Sequence, residues 1–169
     1  GQALSYDDIG NLTNDGTWAY TWEHGRQLDS MTDGSSTWDY SYNADGMRYR
    51  RTDGTTTYTY YYNGDILRYL DVNGTKLYFV TGNDGLPIEV SYQPVGGTTV
   101  YYYYVMNAQG DVIAITDTNG QPVVEYTYDT WGNVLSTTGS MANTLGVQNP
   151  FRYRGYVYDT ETGLYYLQS

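Results

Sequence analysis

Eight Asp-Gly or Asn-Gly dipeptides punctuate this chain, and no other feature constrains its fold as much. They are Asp15-Gly16, Asp33-Gly34, Asp45-Gly46, Asp53-Gly54, Asp84-Gly85, Asn63-Gly64, Asn73-Gly74 and Asn119-Gly120. Both members of such pairs tolerate the positive φ angles of tight hairpin turns, whose twist matches that of the flanking strands. A chain that turns this often has room only for short extended segments.

The segments between turns alternate with period two, as half-buried strands require. Trp18, Tyr20 and Trp22 fall on one face of their strand. Trp38, Tyr40 and Tyr42 do the same, as do Tyr58, Tyr60 and Tyr62, and Val124, Tyr126 and Tyr128. Tyr101 to Tyr104 is a continuous run that offers rings to both faces. Counting from turn to turn predicts an all-β antiparallel hairpin meander of about sixteen short strands. No segment has helical periodicity. Gly139 to Asn149 breaks the pattern and reads as a loop or a single helical turn before Pro150. Residues 1–169 read as one domain with no linker. So many twisted strands do not stay a flat layer, so a curled sheet is expected.

Composition sharpens this picture. Tyr, at 23 residues, far outnumbers Phe, at 2. A tyrosine ring packs on a pleated surface while its hydroxyl reaches water or a backbone partner. The net charge of −11 leaves no basic stripe for nucleic acid, and disfavours an anionic membrane surface. Without cysteine there is neither a disulfide nor a thiolate metal site. No apolar run could span a bilayer as a helix. Gly1-Gln2-Ala3 reads as a cut inside a longer protein.

Candidate chemistry is sparse. His24, the sole histidine, stands in a turn without a nucleophile elbow nearby, and reads as a solvated turn residue. Asp and Asn clusters such as Asp7-Asp8 and Asn83-Asp84-Gly85 could offer oxygens to calcium, but no EF-hand loop is present and turn chemistry explains them. No cofactor is expected. Alternation puts Arg48 and Arg50 on one face and Arg51 on the other, with stacking on tyrosine or cross-strand ion pairs expected.

A repeat unit runs through the chain: tyrosine, a polar residue, a few variable residues, glycine, then a short strand. Tyr6-Asp7-Asp8-Ile9-Gly10-Asn11 and Tyr126-Thr127-Tyr128-Asp129-Thr130-Trp131-Gly132-Asn133 are the clearest copies. These elements resemble YD repeats. The segment from Asn149 through Arg152, Gly155, Tyr158, Asp159 and Gly163 to Leu167 closely resembles the RHS repeat-associated core motif, placed at 149–169. The resemblance covers essentially the whole chain. It implies a segment of a spiralling YD-repeat shell that encloses a C-terminal toxin or effector, in a bacterial protein that is secreted or attached to the cell surface. It implies no catalytic residue here, since the family's self-cleavage aspartates follow the core motif, beyond Ser169. Tyr6, Asp7, Gly10, Tyr126, Tyr128, Asp129, Gly132, Arg152, Gly155, Tyr158, Asp159 and Gly163 are the expected structural positions of the repeats. The alternative is a carbohydrate-binding or adhesion module, with Trp22 and Trp38 as contacts to a cell-wall glycan. Self-association is expected through strand edges near Leu4 to Leu12 and Leu164 to Gln168.

Overall fold

The computed structural model describes residues 4–167, and it is almost entirely β. Fourteen strands follow one another in a single meander. They are β1 (Ser5–Tyr6), β2 (Leu12–Asn14), β3 (Ala19–Glu23), β4 (Gln27–Thr32), β5 (Thr37–Tyr42), β6 (Arg48–Thr52) and β7 (Thr57–Asn63), then β8 (Ile66–Val72), β9 (Thr75–Thr81), β10 (Pro87–Gln93), β11 (Val100–Met106), β12 (Val112–Thr116), β13 (Pro122–Tyr128) and β14 (Val134–Thr138). Each strand is hydrogen-bonded to its sequence neighbours, from β1 at one edge to β14 at the other, and the sheet is not closed. After β14 the chain leaves the sheet. It forms the single turn α1 (Leu145–Gln148), a 3-10 turn over Tyr153–Gly155, and a separate hairpin of β15 (Val157–Asp159) and β16 (Leu164–Tyr166). The expected strand number is met among the described residues. The expected break at 139–149 is the helical turn.

One expectation about the edges changes. Leu164–Tyr166 pairs with β15 in its own hairpin and is not an edge of the large sheet. The sheet's C-terminal edge is β14, whereas the N-terminal edge is β1, as expected. Gln168 lies outside the described residues.

The chain divides into two compact units, Gly1–Tyr61 with Asp71–Asn73, and Tyr62–Leu70 with Gly74–Ser169. In the first, Tyr20, Met31, Trp38, Tyr40, Tyr58 and Tyr60 are buried. Arg48 and Arg51 are buried with them. The Arg51 guanidinium lies 3.7 Å from the Tyr58 ring centroid and 5.0 Å from that of Trp38. Its Nε donates to the Tyr60 hydroxyl at 2.8 Å. Arg48 lies over Tyr40 and Tyr60. Stacking on tyrosine is therefore what these arginines do, but they share a face, against the expected alternation.

The cause is a β-bulge. Ser41 faces Arg50 while Tyr42 faces Arg48, so Tyr49 is an extra residue without a cross-strand partner. An extra residue advances the pleat by one and places positions three apart on the same side. The same device recurs. Trp22 faces Leu28 and Thr21 faces Ser30, leaving Asp29 over. Met106 and Val105 face Val112 and Ala114, leaving Ile113. Tyr128 and Thr127 face Val134 and Ser136, leaving Leu135. The extra residues Asp29, Tyr49, Ile113 and Leu135 are all exposed. A bulge three or four residues past the loop glycine thus recurs along the meander.

Turn chemistry also departs from the simple reading. Of the eight dipeptides, only Asn73-Gly74 has positive φ at both residues, and His24-Gly25, in the turn where His24 was expected, matches it (φ 47° and 88°). In the other seven the glycine alone is left-handed. Aspartate serves instead as an acceptor. Asp15, Asp33 and Asp53 each take the N–H groups two and three residues on. In the longer loops Asp7, Asp117 and Asp129 take those two and four residues on, and Asn43 and Asn107 do the same. The carboxylates are held below their ordinary pKa: Asp33, Asp53 and Asp117 foremost by these amides, Asp15 foremost by the Tyr20 hydroxyl, Asp129 foremost by the Asn133 side chain, and Asp7, against a desolvation that raises it, by its amides and Asn11. Asp7 and Asp84, one in each of the acidic clusters, are thus committed to backbone amides.

Two glycines test this reading of the loops. Gly120 (φ 78°) has open space where a Cβ would sit, whereas a Cβ on Gly132 (φ 90°) would come within 2.7 Å of the Tyr153 ring. Gly120→Ala should cost about 1–2 kcal/mol, from left-handed strain alone. Gly132→Ala should cost about 1–3 kcal/mol more, from overpacking. Urea unfolding of the two variants beside the parent measures the difference; equal costs would show that Tyr153 yields freely.

Candidate functional site: an arginine and asparagine clasp

The most elaborately bonded part of the second unit is where the segment after β14 returns to the sheet. Tyr104 and Tyr126 on β11 and β13 are buried, and burial of a phenol demands a partner for its hydroxyl. The returning segment supplies these partners. Tyr104 donates to Asn149 Oδ1 at 2.7 Å, Tyr126 to the Gly146 carbonyl at 2.9 Å, and Tyr92 to Gln148 Oε1 at 3.0 Å. Asn149 Nδ2 donates to the Phe151 carbonyl at 2.9 Å, which closes the loop on itself.

Arg152 occupies the centre and is 1% exposed. Its guanidinium lies 4.0 Å from the Tyr126 ring centroid. It donates to three carbonyls, those of Gly146, Asn149 and Phe151. The main chain joins in, since Val112 N–H donates to the Arg152 carbonyl at 3.1 Å. Asp111, also buried, accepts from the Arg154 N–H at 2.9 Å and from Asn107 Nδ2 at 2.6 Å. Phe151 meets Phe79 edge-on with centroids 4.9 Å apart. One cation, one amide and one carboxylate thus fasten the return to strands β9 to β13.

The expected structural positions divide between this clasp and the loops. Tyr126, Arg152 and Tyr158 come together, with Tyr158 5.9 Å below the Arg152 guanidinium. Tyr128 joins by donating to the Val112 carbonyl at 2.6 Å. Asp129 and Gly132 form the β13–β14 loop, where the Gly132 carbonyl accepts from the Tyr165 hydroxyl at 2.8 Å. Gly155 lies against Leu86. Asp159 is buried, and its carbonyl receives the N–H groups of Thr162 and Gly163 in the β15–β16 turn. Tyr6, Asp7 and Gly10 belong to the first unit, far along the chain, with Tyr6 ending β1 and Asp7 and Gly10 in the β1–β2 loop. Neither proposed glycan contact presents a free ring. Trp38 is 4% exposed beneath Arg51, and half-buried Trp22 donates its indole N–H to the Leu12 carbonyl. The tryptophan that does project is Trp131, 85% exposed at a loop tip. Asn149, at the start of the motif, and Gly146, which precedes it, were not singled out by the sequence; only the absence of alternation at 139–149 marked this segment as different.

Burial raises the pKa of Tyr104, Tyr126 and Tyr128 above the ordinary tyrosine value, and pushes Tyr165 up to about 12. The folded form therefore holds these protons more tightly than the unfolded chain does. Their stabilisation is complete below the unfolded value of about 10, and is lost as pH rises through the folded values. Tyrosinate absorbance should accordingly rise in two steps, exposed rings first and then a cooperative step that coincides with loss of near-ultraviolet dichroism. A single step near pH 10 with the dichroism retained would contradict the clasp. Arg152→Met should lower the stability of this unit by about 3–5 kcal/mol by stranding buried carbonyls, and Arg152→Lys should not rescue it, because an ammonium cannot reproduce the planar fork. Urea unfolding monitored at the buried tyrosines measures both.

Comparison with known proteins bears directly on this architecture. Residues 95–169 match the model of the teneurin YD-shell. A protein of Bacillus spizizenii named tRNA3(Ser)-specific nuclease WapA is 38% identical over 174 residues, and one of Bacillus subtilis named tRNA nuclease WapA is 39% identical. In both cases 99% of this chain is aligned, but it spans only 7% of the relative's length. Among solved structures, a Tc holotoxin pore of Photorhabdus luminescens superposes with a TM-score of 0.72 at 17% identity, covering 95% of this chain and 8% of that one. A TcdB2–TccC3–Cdc42 structure does so with a TM-score of 0.71 at 17% identity, covering 95% and 9%. At that identity the structures speak for the fold alone, and they show the same hairpin wall. Wall, clasp and core motif together with these matches establish that the chain belongs to the RHS/YD-repeat family.

Proposed function

We propose that residues 1–169 are a non-catalytic wall segment which, in a longer parent protein outside the producing cell, helps to enclose a C-terminal toxin or effector. The clasp carries this reading. It fastens the C-terminal hairpin to one face of the sheet, so that a segment continuing past the hairpin starts from that face. The relatives named as tRNA nucleases support an effector that belongs to the same polypeptide. The charge of −11 is unsuited to holding tRNA, so nuclease chemistry is assigned to the effector and not to the wall. Open edges at β1 and β14 are templates for pairing with further strands, whether of the parent or of another copy. Carbohydrate binding is the second reading. It rests on Trp131 alone, and glycan-dependent protection of Trp131 from a collisional quencher would support it.

Two measurements test the shell. The purified chain should leave tRNA intact after long incubation; cleavage that survives repurification and follows the protein peak would refute a non-catalytic wall. In the full-length parent, limited proteolysis should spare the effector, and the pair Asn149→Ala with Arg152→Met should expose it. An effector digested equally fast in parent and variant is not enclosed.

A further inference from the structure

We propose that the face of β9–β12 opposite the clasp is a self-association surface that seats a second copy of this chain. The surface lies wholly within the second unit and is distinct from the strand edges. Cross-strand register defines it. Tyr78, Ser91 and Tyr101 form one row, and Val80, Glu89, Tyr103 and Thr116 form the next. Val105 faces Ala114 beside them. Ile88, the extra residue of a bulge in β10, projects between rows. Tyr78, Val80, Ile88, Tyr101, Tyr103 and Val105 are each 39–50% exposed, while their alternate neighbours Phe79, Val90, Tyr102 and Tyr104 are buried under the clasp segment or beside it.

Area and charge both select the occupant. The six exposed side chains leave roughly 500 Å² in water, at the upper end of what a monomer exposes in one patch. Pairing two such faces would bury about 1,000 Å² from these side chains alone, the size at which a specific interface begins. The chain carries −11 overall, which would ordinarily repel a copy. Yet β9–β12 contain only two charged residues, Lys76 and Glu89, one of each sign. Alternation puts both on the exposed face, Lys76 beside Gln93 at one end and Glu89 in the row of Tyr103. This face is electrically neutral in an acidic chain. A two-fold pairing presents the same patch on both copies, so the lysine of each can meet the glutamate of the other. Packed sheets already use this kind of flat, ring-bearing surface. Tyr78 is held for it, since its ring stacks on that of Tyr69 at 4.4 Å and 12°.

Sedimentation equilibrium of the 169-residue chain over a wide concentration range tests the proposal. A dimer is expected, and it should strengthen with salt as the −11 charge is screened. Tyr101→Glu and Tyr103→Glu should each weaken it by about tenfold or more. Lys76→Glu and Glu89→Lys should each weaken it, and the double exchange should restore it. These four positions are exposed or half-buried, and an unchanged urea midpoint verifies folding of each variant. A strict monomer at high concentration and high salt would overturn the proposal. So would a dimer indifferent to these four variants but abolished by Leu135→Lys on the β14 edge, which would assign association to edge pairing. A double exchange no tighter than the single ones would overturn the charge arrangement.

Discussion

A core built from tyrosine sets a condition that a core of leucine or phenylalanine does not. Every ring that goes inside takes a hydroxyl with it, and a buried hydroxyl without a partner costs more than the ring's last increment of packing gains. The structure meets this condition in two ways. At the loops, the Tyr20 hydroxyl donates to the Asp15 carboxylate at 2.6 Å. Deeper in, the hydroxyls turn to main-chain carbonyls and amide side chains, as Tyr126 does to Gly146 and Tyr104 to Asn149, and arginine packs beside them. Arg51 donates to Tyr60 while stacking on Tyr58, and Arg152 stacks on Tyr126 while occupying the same Gly146 carbonyl that Tyr126 uses. A guanidinium suits this role because its face lies on a ring as its rim donates. Buried cations in an acidic protein thus follow from the choice of tyrosine as the core residue.

The sequence declares its hairpins openly and conceals how each strand sits in the sheet. Turn positions, strand number and the all-β class follow from glycine spacing and alternation, which are local signals. The shared face of the first strand of a hairpin was also readable, as with Tyr58 and Tyr60 or Val124's neighbours Tyr126 and Tyr128, whereas for Tyr101 to Tyr104 alternation left open which pair faces inward. The tetrad Tyr101 to Tyr104 resolves into buried and exposed pairs by simple pleating. The second strand was not readable by alternation, because the bulge adds a residue without leaving a composition mark. Asp29, Tyr49, Ile113 and Leu135 have nothing chemical in common. Tyr49, Ile113 and Leu135 stand three residues past their loop glycine and Asp29 four past Gly25, a placement that only register exposes.

The roles of aspartate and glycine in the loops were separable only in three dimensions. Asp-Gly satisfies a two-residue turn with two left-handed residues, and equally a loop in which aspartate caps amides and glycine alone is left-handed. The same two letters therefore fit both geometries. His24-Gly25 shows the reverse case, a turn with both residues left-handed that lacks the expected letters. The core motif at 149–169 was recognisable as a block. The division of labour inside it depends on which sheet tyrosines lie beneath, and these are 45 positions away for Asn149 and Tyr104.

The two faces of β9–β12 follow from that division of labour. Inward tyrosines must be met by donors and acceptors in fixed places, so this face accepts one particular segment and is fastened to it by Arg152 and Asn149. Outward tyrosines have water for their hydroxyls and need no such match. Their rings can lie against any flat, neutral surface, including their own copy. The same residue type on opposite faces of one sheet thus supplies a specific joint on one side and a permissive contact on the other. The difference arises from whether water or protein must complete the hydroxyl's hydrogen bonds, and the bulges decide which side chains stand on each face.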